Sequence, residues 1–206
     1  MLKISSFTGG IAQTNGWLVQ TPHGSIAVDA PEGFADWLDS QKARVSTLLL
    51  THQHFDHVQD AARIQRDHGA KIFAHAAFSR ELTLEALFSF ATGTRFEIQP
   101  FIVDELLEGK SHIETSGLRW KLAHIPGHSP DSTVFISEEN LVCFCGDVIF
   151  QDSIGRCDFP GGDMEMLVRG IETKLMPLPD EMVLYPGHGY ETTIGRERAE
   201  NPYLQS

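Results

Sequence analysis

The chain has 206 residues, 41% of them hydrophobic, and a formal net charge of −12. That length suits one domain with a substantial core, here expected to span residues 1–206, and the composition excludes a disordered chain. The negative charge argues against nucleic acid as a partner, and no apolar run approaches the roughly 20 residues of a membrane span.

Alternation and β-branched residues predict strands near Leu2–Phe7, Gly16–Thr21 and Ser25–Asp29. A short helix over Glu32–Gln41 precedes a buried strand, Val45–Leu50, which stops abruptly at Thr51. Helical spacing covers His57–His68, with Gly69 as its C-terminal cap, and Lys71–Ala74 reads as a short strand. Ser79–Phe90 reads as a helix with one apolar face.

The second half returns to strands at Ser111–Thr115, Leu118–Ile125, Ser132–Ser137 and Leu141–Gly146. A helix over Asp163–Lys174, a strand over Met182–Tyr185 and a helix over Thr192–Glu200 complete the chain. This order suggests two packed sheets with helices outside. Cys143 and Cys145 fall within one apolar strand, and the cysteine count of three is odd, so buried inert thiols are expected rather than disulfides. Met1–Ser6 lacks the pattern of an export signal, which leaves the cytoplasm as the expected compartment.

The most informative segment is Thr51-His52-Gln53-His54-Phe55-Asp56-His57. Four ligand-type side chains crowd into six positions directly after a buried strand, and such strand ends are where α/β architectures keep their chemistry. Imidazole nitrogens suit zinc and iron, and a carboxylate accommodates either. In an extended turn His52 and His54 point the same way, while Asp56 and His57 turn toward a neighbouring point, so the segment can serve two adjacent ions. Further ligands are expected at turns beside glycine, and three positions qualify: His128 after Gly127, Asp147 after Gly146, and His188 between Gly187 and Gly189.

Taken together, these motifs resemble the metallo-β-lactamase superfamily over nearly the whole chain. The resemblance implies an α/β fold, an αββα sandwich of two mixed sheets flanked by helices with metals at one sheet edge. It implies that His52, His54 and His128 bind a first metal, that Asp56, His57 and His188 bind a second, and that Asp147 bridges them. Asp29 matches a position that orients a ligand from behind. Two divalent ions follow as cofactors, Zn²⁺ first, with Fe and Mn as alternatives.

Within the superfamily the chain is most similar to short bacterial proteins of the glyoxalase II (hydroxyacylglutathione hydrolase) type. Gly146–Phe150, Gly155–Asp163 and Tyr185–Pro202 carry that similarity. His57 and Asp147 differ from the residues many true β-lactamases carry there. The implied activity is hydrolysis of a small-molecule thioester, such as the glutathione thioester S-lactoylglutathione, by a metal-bridging hydroxide. Asp56 and Asp147 act in catalysis as ligands, and Arg156 stands near the basic position that holds glutathione in full-length enzymes.

Two departures bear on glutathione: this sequence ends at Ser206, before the helical domain of full-length enzymes, and Asp131 stands where the family has a small residue. A mononuclear-iron persulfide dioxygenase, a lactone or other ester hydrolase on the same centre, and a non-catalytic metal-binding protein are the competing readings. His23, His68, His75, His112 and His124 are assigned to surface or packing roles, and Arg196, Glu197, Arg198 and Glu200 to the solvated face of the last helix.

Overall fold

The structure is a computed structural model and describes residues 2–205. Among these, the first half of the chain supplies β1 (Lys3–Gly9), β2 (Thr14–Thr21), β3 (Gly24–Val28), β4 (Thr47–Leu49), β5 (Lys71–Ala74) and β6 (Glu105–Leu106), adjacent in that order. The first three pair antiparallel and the last three add in parallel, so the sheet is mixed.

The second sheet comes from β7 (His112–Thr115), β8 (Leu118–His124), β9 (Thr133–Ser137) and β10 (Val142–Gly146). A small hairpin, β11 (Ile149–Phe150) and β12 (Ser153–Ile154), follows before β13 (Val183–Pro186) and β14 (Thr192–Thr193) return to it. Its order is β14-β13-β10-β9-β8-β7, with β10 and β13 parallel and the rest antiparallel. The helices are α1 (Phe34–Ser40), α2 (Phe55–Val58), α3 (Ala61–His68), α4 (Arg80–Thr83), α5 (Glu85–Thr92), α6 (Met164–Lys174) and α7 (Ile194–Glu200). The arrangement is the expected αββα sandwich.

The two-residue period of the strands builds three apolar layers. Trp17, Val19, Ile26 and Val28 face the second sheet, where Trp120, Phe135 and Phe144 meet them. Their neighbours Leu18, Ala27 and Leu48 face the other way, onto Phe34, Leu38 and Ile64 of the helical layer. On the second sheet Cys143 and Cys145 alternate with Val142 and Phe144, and pack instead with Leu167 and Ile171 of α6. Both thiols are fully buried and free, and burial pushes them up, away from the reactive thiolate. Truncating a buried aromatic such as Trp120 or Phe135 to Ala would cost roughly 3–5 kcal/mol.

Three expected helices differ in detail. The helix expected over His57–His68 is two, because the backbone between them is tied to the end of β3: Ala30 N donates to His57 O and Asp60 N to Ala30 O. The helix expected over Ser79–Phe90 breaks at Leu84, whose φ of 53° lies in the left-handed region. Thr192 and Thr193 pair with β13 instead of starting the last helix, and Thr193 caps it by accepting from Arg196 N. Glu197, expected on a solvated face, is wholly buried and accepts from Thr192, Asp152 N and Asn201. No helix among the described residues is long and apolar enough to cross a membrane.

Candidate metal centre

Strand ends set the positions of the predicted donors. β3 ends beside Asp29, β4 leads into Thr51–His57, and the loop between β8 and β9 carries His128. β10 delivers Asp147 and β13 delivers His188, so both sheets present these residues at one shared edge. The edge is stitched by the first residues of β2. Asn15 donates its backbone N–H to Gly187 O and its side-chain amide to Pro186 O and Gly189 O.

Every predicted donor arrives at one place. His52, His54 and His128 offer atoms within 4.8 Å of one another, as do His52, His57 and Asp147, and Asp56, His57 and His188. Asp147 stands between the groups: its carboxylate oxygens lie 3.3 Å from His57 Nε2, 3.4 Å from His128 Nε2 and 3.3 Å from His188 Nε2. Asp56 Oδ2 is 3.5 Å from His57 Nε2 and 3.4 Å from His188 Nε2.

These separations exceed the roughly 2.7–2.9 Å of charge-assisted hydrogen bonds. They match another geometry: two donors each about 2.1 Å from one tetrahedral ion lie about 3.4 Å apart. His52 Nε2, His57 Nε2, His128 Nε2 and Asp147 Oδ1 are also buried without a hydrogen-bond partner among the described residues. Buried polar atoms are rarely left unpaired, so this convergence fits divalent cations.

The other face of each ring fixes its tautomer. His128 Nδ1 lies 2.8 Å from Arg156 O, a pure acceptor, so Nδ1 carries the hydrogen and the Nε2 lone pair points inward. His57 Nδ1 lies 2.9 Å from Asp29 Oδ2 with the same consequence. Thr51 donates its hydroxyl to Asp29 Oδ2, which leaves its oxygen to accept from His52 Nδ1 at 3.1 Å. Asp29 Oδ1 also accepts Thr51 N at 2.8 Å, and the residue sits at φ 57°, a strained conformation that Asp tolerates better than most.

Electrostatics separate the rings into two pairs. Burial holds His52 and His54 neutral, His54 at about 3, helped by the neighbouring rings. Burial opposes charge on His188 too, but the neighbouring Asp147 and Asp56 carboxylates outweigh it and lift the ring to about 10. His57 is likewise raised, against its burial, by Asp56, Asp147 and Asp29. The same pairs bring Asp56 to about 2 despite its burial. The carboxylates thus favour positive charge beside them.

Glycines let the walls close. A Cβ at Gly187 would overlap Asp147 Oδ1 and stand 2.6 Å from His57 Cε1, and one at Gly155 would overlap the Asp147 backbone carbonyl. The centre floors a cavity of about 490 Å³. Arg156 lines it, with its guanidinium held by both oxygens of Asp158 at 2.7 and 2.6 Å and laid over the Phe159 ring at 4.0 Å. Thr14, whose hydroxyl donates to Asp56 Oδ2 at 2.6 Å, carries no signal in the sequence. Of the remaining histidines, His68 is buried and accepts from Val45 N, and His75 stacks on His124 with ring centroids 3.8 Å apart.

Comparisons with known proteins agree with this geometry. A family model described as the metallo-beta-lactamase superfamily matches residues 10–188. The hydroxyacylglutathione hydrolase GloC of Haemophilus influenzae is 37% identical over 202 residues, 94% of each chain. The BLEG-1 B3 metallo-beta-lactamase structure has a TM-score of 0.88 at 28% identity, covering 99% of this chain and 100% of that one. TTHA1623 in a di-iron-bound form has a TM-score of 0.83 at 32% identity, covering 97% and 100%. The matched span runs from the end of β1 to the last of the converging histidines, and the chain belongs to the metallo-beta-lactamase superfamily.

Proposed function

We propose that the chain is a dinuclear metal-dependent hydrolase that cleaves a thioester of the S-lactoylglutathione kind. The observation that carries this reading is the set of inward-facing, unpartnered donor atoms on His52, His57, His128 and Asp147. His52, His54 and His128 would hold one ion, Asp56, His57 and His188 the other, and Asp147 both. The similarity to GloC supports the thioester, and the likeness to TTHA1623 in its di-iron-bound form supports two ions, with zinc, iron and manganese all compatible with the donors.

When bound, such ions acidify a water and polarise a carbonyl. The chain's own residues do the positioning. Asp29 and the Arg156 carbonyl keep Nδ1–H of His57 and His128 turned away, so each ring presents a lone pair. Thr14 fixes the rotamer of Asp56 through Oδ2, leaving Oδ1 as the oxygen able to accept a proton from the nucleophile. Arg156 lies at the rim, where it would meet the thiol portion of the substrate.

The test is metal content and turnover on one purified sample. About two ions per chain with rapid hydrolysis of S-lactoylglutathione is the expected result. One iron per chain, no hydrolysis, and oxygen consumption with glutathione persulfide would replace this reading with a dioxygenase. Lactone and β-lactam substrates belong in the same panel, the latter because of the similarity to BLEG-1.

A further inference from the structure

The cavity above the candidate metal centre is apolar to a degree that its floor does not require. Phe159 stands 5.8 Å from His54 and 6.4 Å from His128, measured between ring centroids, and so starts a wall at the donors themselves. Phe88 continues it at 5.1 Å from Phe159, then Phe55 at 4.6 Å and Phe96 at 4.5 Å. Phe150 closes the opposite side, 6.1 Å from His188. Ile11, 64% exposed, extends the apolar surface to the mouth.

The charge available to a peptide-like thiol is small by comparison. Glutathione carries two carboxylates and an ammonium, yet among the described residues that line the cavity Arg156 is the one cationic side chain apart from histidine. Its Nε–Nη2 edge is already engaged by Asp158, and its face is stacked on Phe159. The Nη1 group remains open to an anion, but the charge it offers is already shared with a bidentate carboxylate. The aromatic wall, in contrast, is backed by the core through Phe55, while the partly buried rings of Phe88, Phe96, Phe150 and Phe159 line the cavity where an apolar group entering it would meet them.

We propose that this cavity is an acyl pocket, and that the preferred substrate is a thioester of an apolar acid, aliphatic with about six to ten carbons or aromatic, rather than of a small hydroxy acid. The inference rests on the hydrolase reading above and specifies its acyl group. A cavity of about 490 Å³ is of the size that encloses small organic ligands. Each methylene moved from water into it should raise kcat/KM about fourfold until the wall ends.

The experiment uses the metal-loaded protein and N-acetylcysteamine thioesters from acetyl to decanoyl, with benzoyl and S-lactoylglutathione alongside. The expected result is a rise of about fourfold per methylene over several carbons, with a shallower slope in Phe88→Ser. Asp158→Asn, an exposed change that frees Arg156, should move preference toward S-lactoylglutathione. A parallel titration with the S-octyl thioether of N-acetylcysteamine, which has no carbonyl to cleave, reads the pocket without turnover, and wild-type protein should bind it at least tenfold more tightly than Phe88→Ser. A flat or falling chain-length series with good hydrolysis of S-lactoylglutathione overturns the acyl pocket and leaves the hydrolase reading standing. If no thioester is cleaved, the hydrolase reading fails and the titration alone decides: tight binding supports the pocket, and none overturns it.

Discussion

Asp29 Oδ2 lies 2.9 Å from His57 Nδ1, with both side chains fully withdrawn from solvent. The same carboxylate accepts the backbone N–H and the hydroxyl of Thr51, so one residue at the end of β3 anchors the ring of His57 and, through Thr51, that of His52. Each imidazole is thereby held with Nδ1 as donor, and Nε2 is free for a cation.

Asp29→Asn should weaken metal affinity by about 10–100-fold, the usual effect of losing such a partner. An amide can accept only through its oxygen, so its nitrogen would face either His57 or Thr51 as a donor against a donor. Competition with a chromogenic chelator measures this directly. Wild-type affinity in a folded Asp29→Asn protein would show that ring orientation does not depend on the carboxylate.

Gly187→Ala tests the packing of the centre while every donor residue is kept. The new methyl would overlap Asp147 Oδ1 and sit 2.6 Å from His57 Cε1, so Asp147 must move off the point it shares with His57, His128 and His188. Bound metal should fall below one ion per chain and turnover by more than a hundredfold. Retention of two ions with near-normal activity would mean the bridging position of Asp147 is not required.

The centre was legible in the sequence because its donors are histidines and aspartates at strand ends, and both the residue type and the place are unusual. His52, His54, Asp56 and His57 announced themselves by crowding, and His128, Asp147 and His188 by their glycine neighbours. Strands buried on both faces were found for the same kind of reason, since runs such as Val45–Leu50 have no other explanation. What escaped were contacts set by tertiary pairing. Thr14 reaches Asp56 across 42 positions, and nothing local marks it. The break at Leu84 and the burial of Glu197 also go with distant partners, the Ile98 N–H donating to Glu85 Oε2 and the Asp152 N–H to Glu197 Oε2, respectively. The aromatic wall was invisible as a unit, because Phe55, Phe88, Phe150 and Phe159 lie far apart along the chain.

Removing metal should lower stability as well as abolish turnover. At a free metal concentration a thousandfold above Kd, each site adds about 4 kcal/mol, which for a chain of this size is roughly 8–16 °C in Tm. Chelation should therefore lower Tm by at least that amount and readdition of Zn²⁺ restore it. An unchanged Tm after verified metal loss would indicate that the donors are held together by the ion pairs of His57 and His188 alone.

Asp131 supplies a pH dependence separate from the donors. Its side chain is 2% exposed, Oδ2 has no partner among the described residues, and burial pushes the carboxyl up to about 6 against the bond it accepts from Ser129. A raised pKa means that the folded chain keeps the proton in a range where the unfolded chain has released it. Stability from this group is therefore full below about pH 4, declines as pH rises toward about 6, and stays lost above it. Asp131→Asn cannot ionise, so its stability relative to wild type should grow across that window, by up to about 3 kcal/mol. Urea unfolding of both proteins between pH 4 and 8 measures the difference, in which titration of all shared groups cancels. A difference that is constant with pH would show that Asp131 is ionised in the folded chain throughout, stabilised there by Ser129 and the Gln53 N–H.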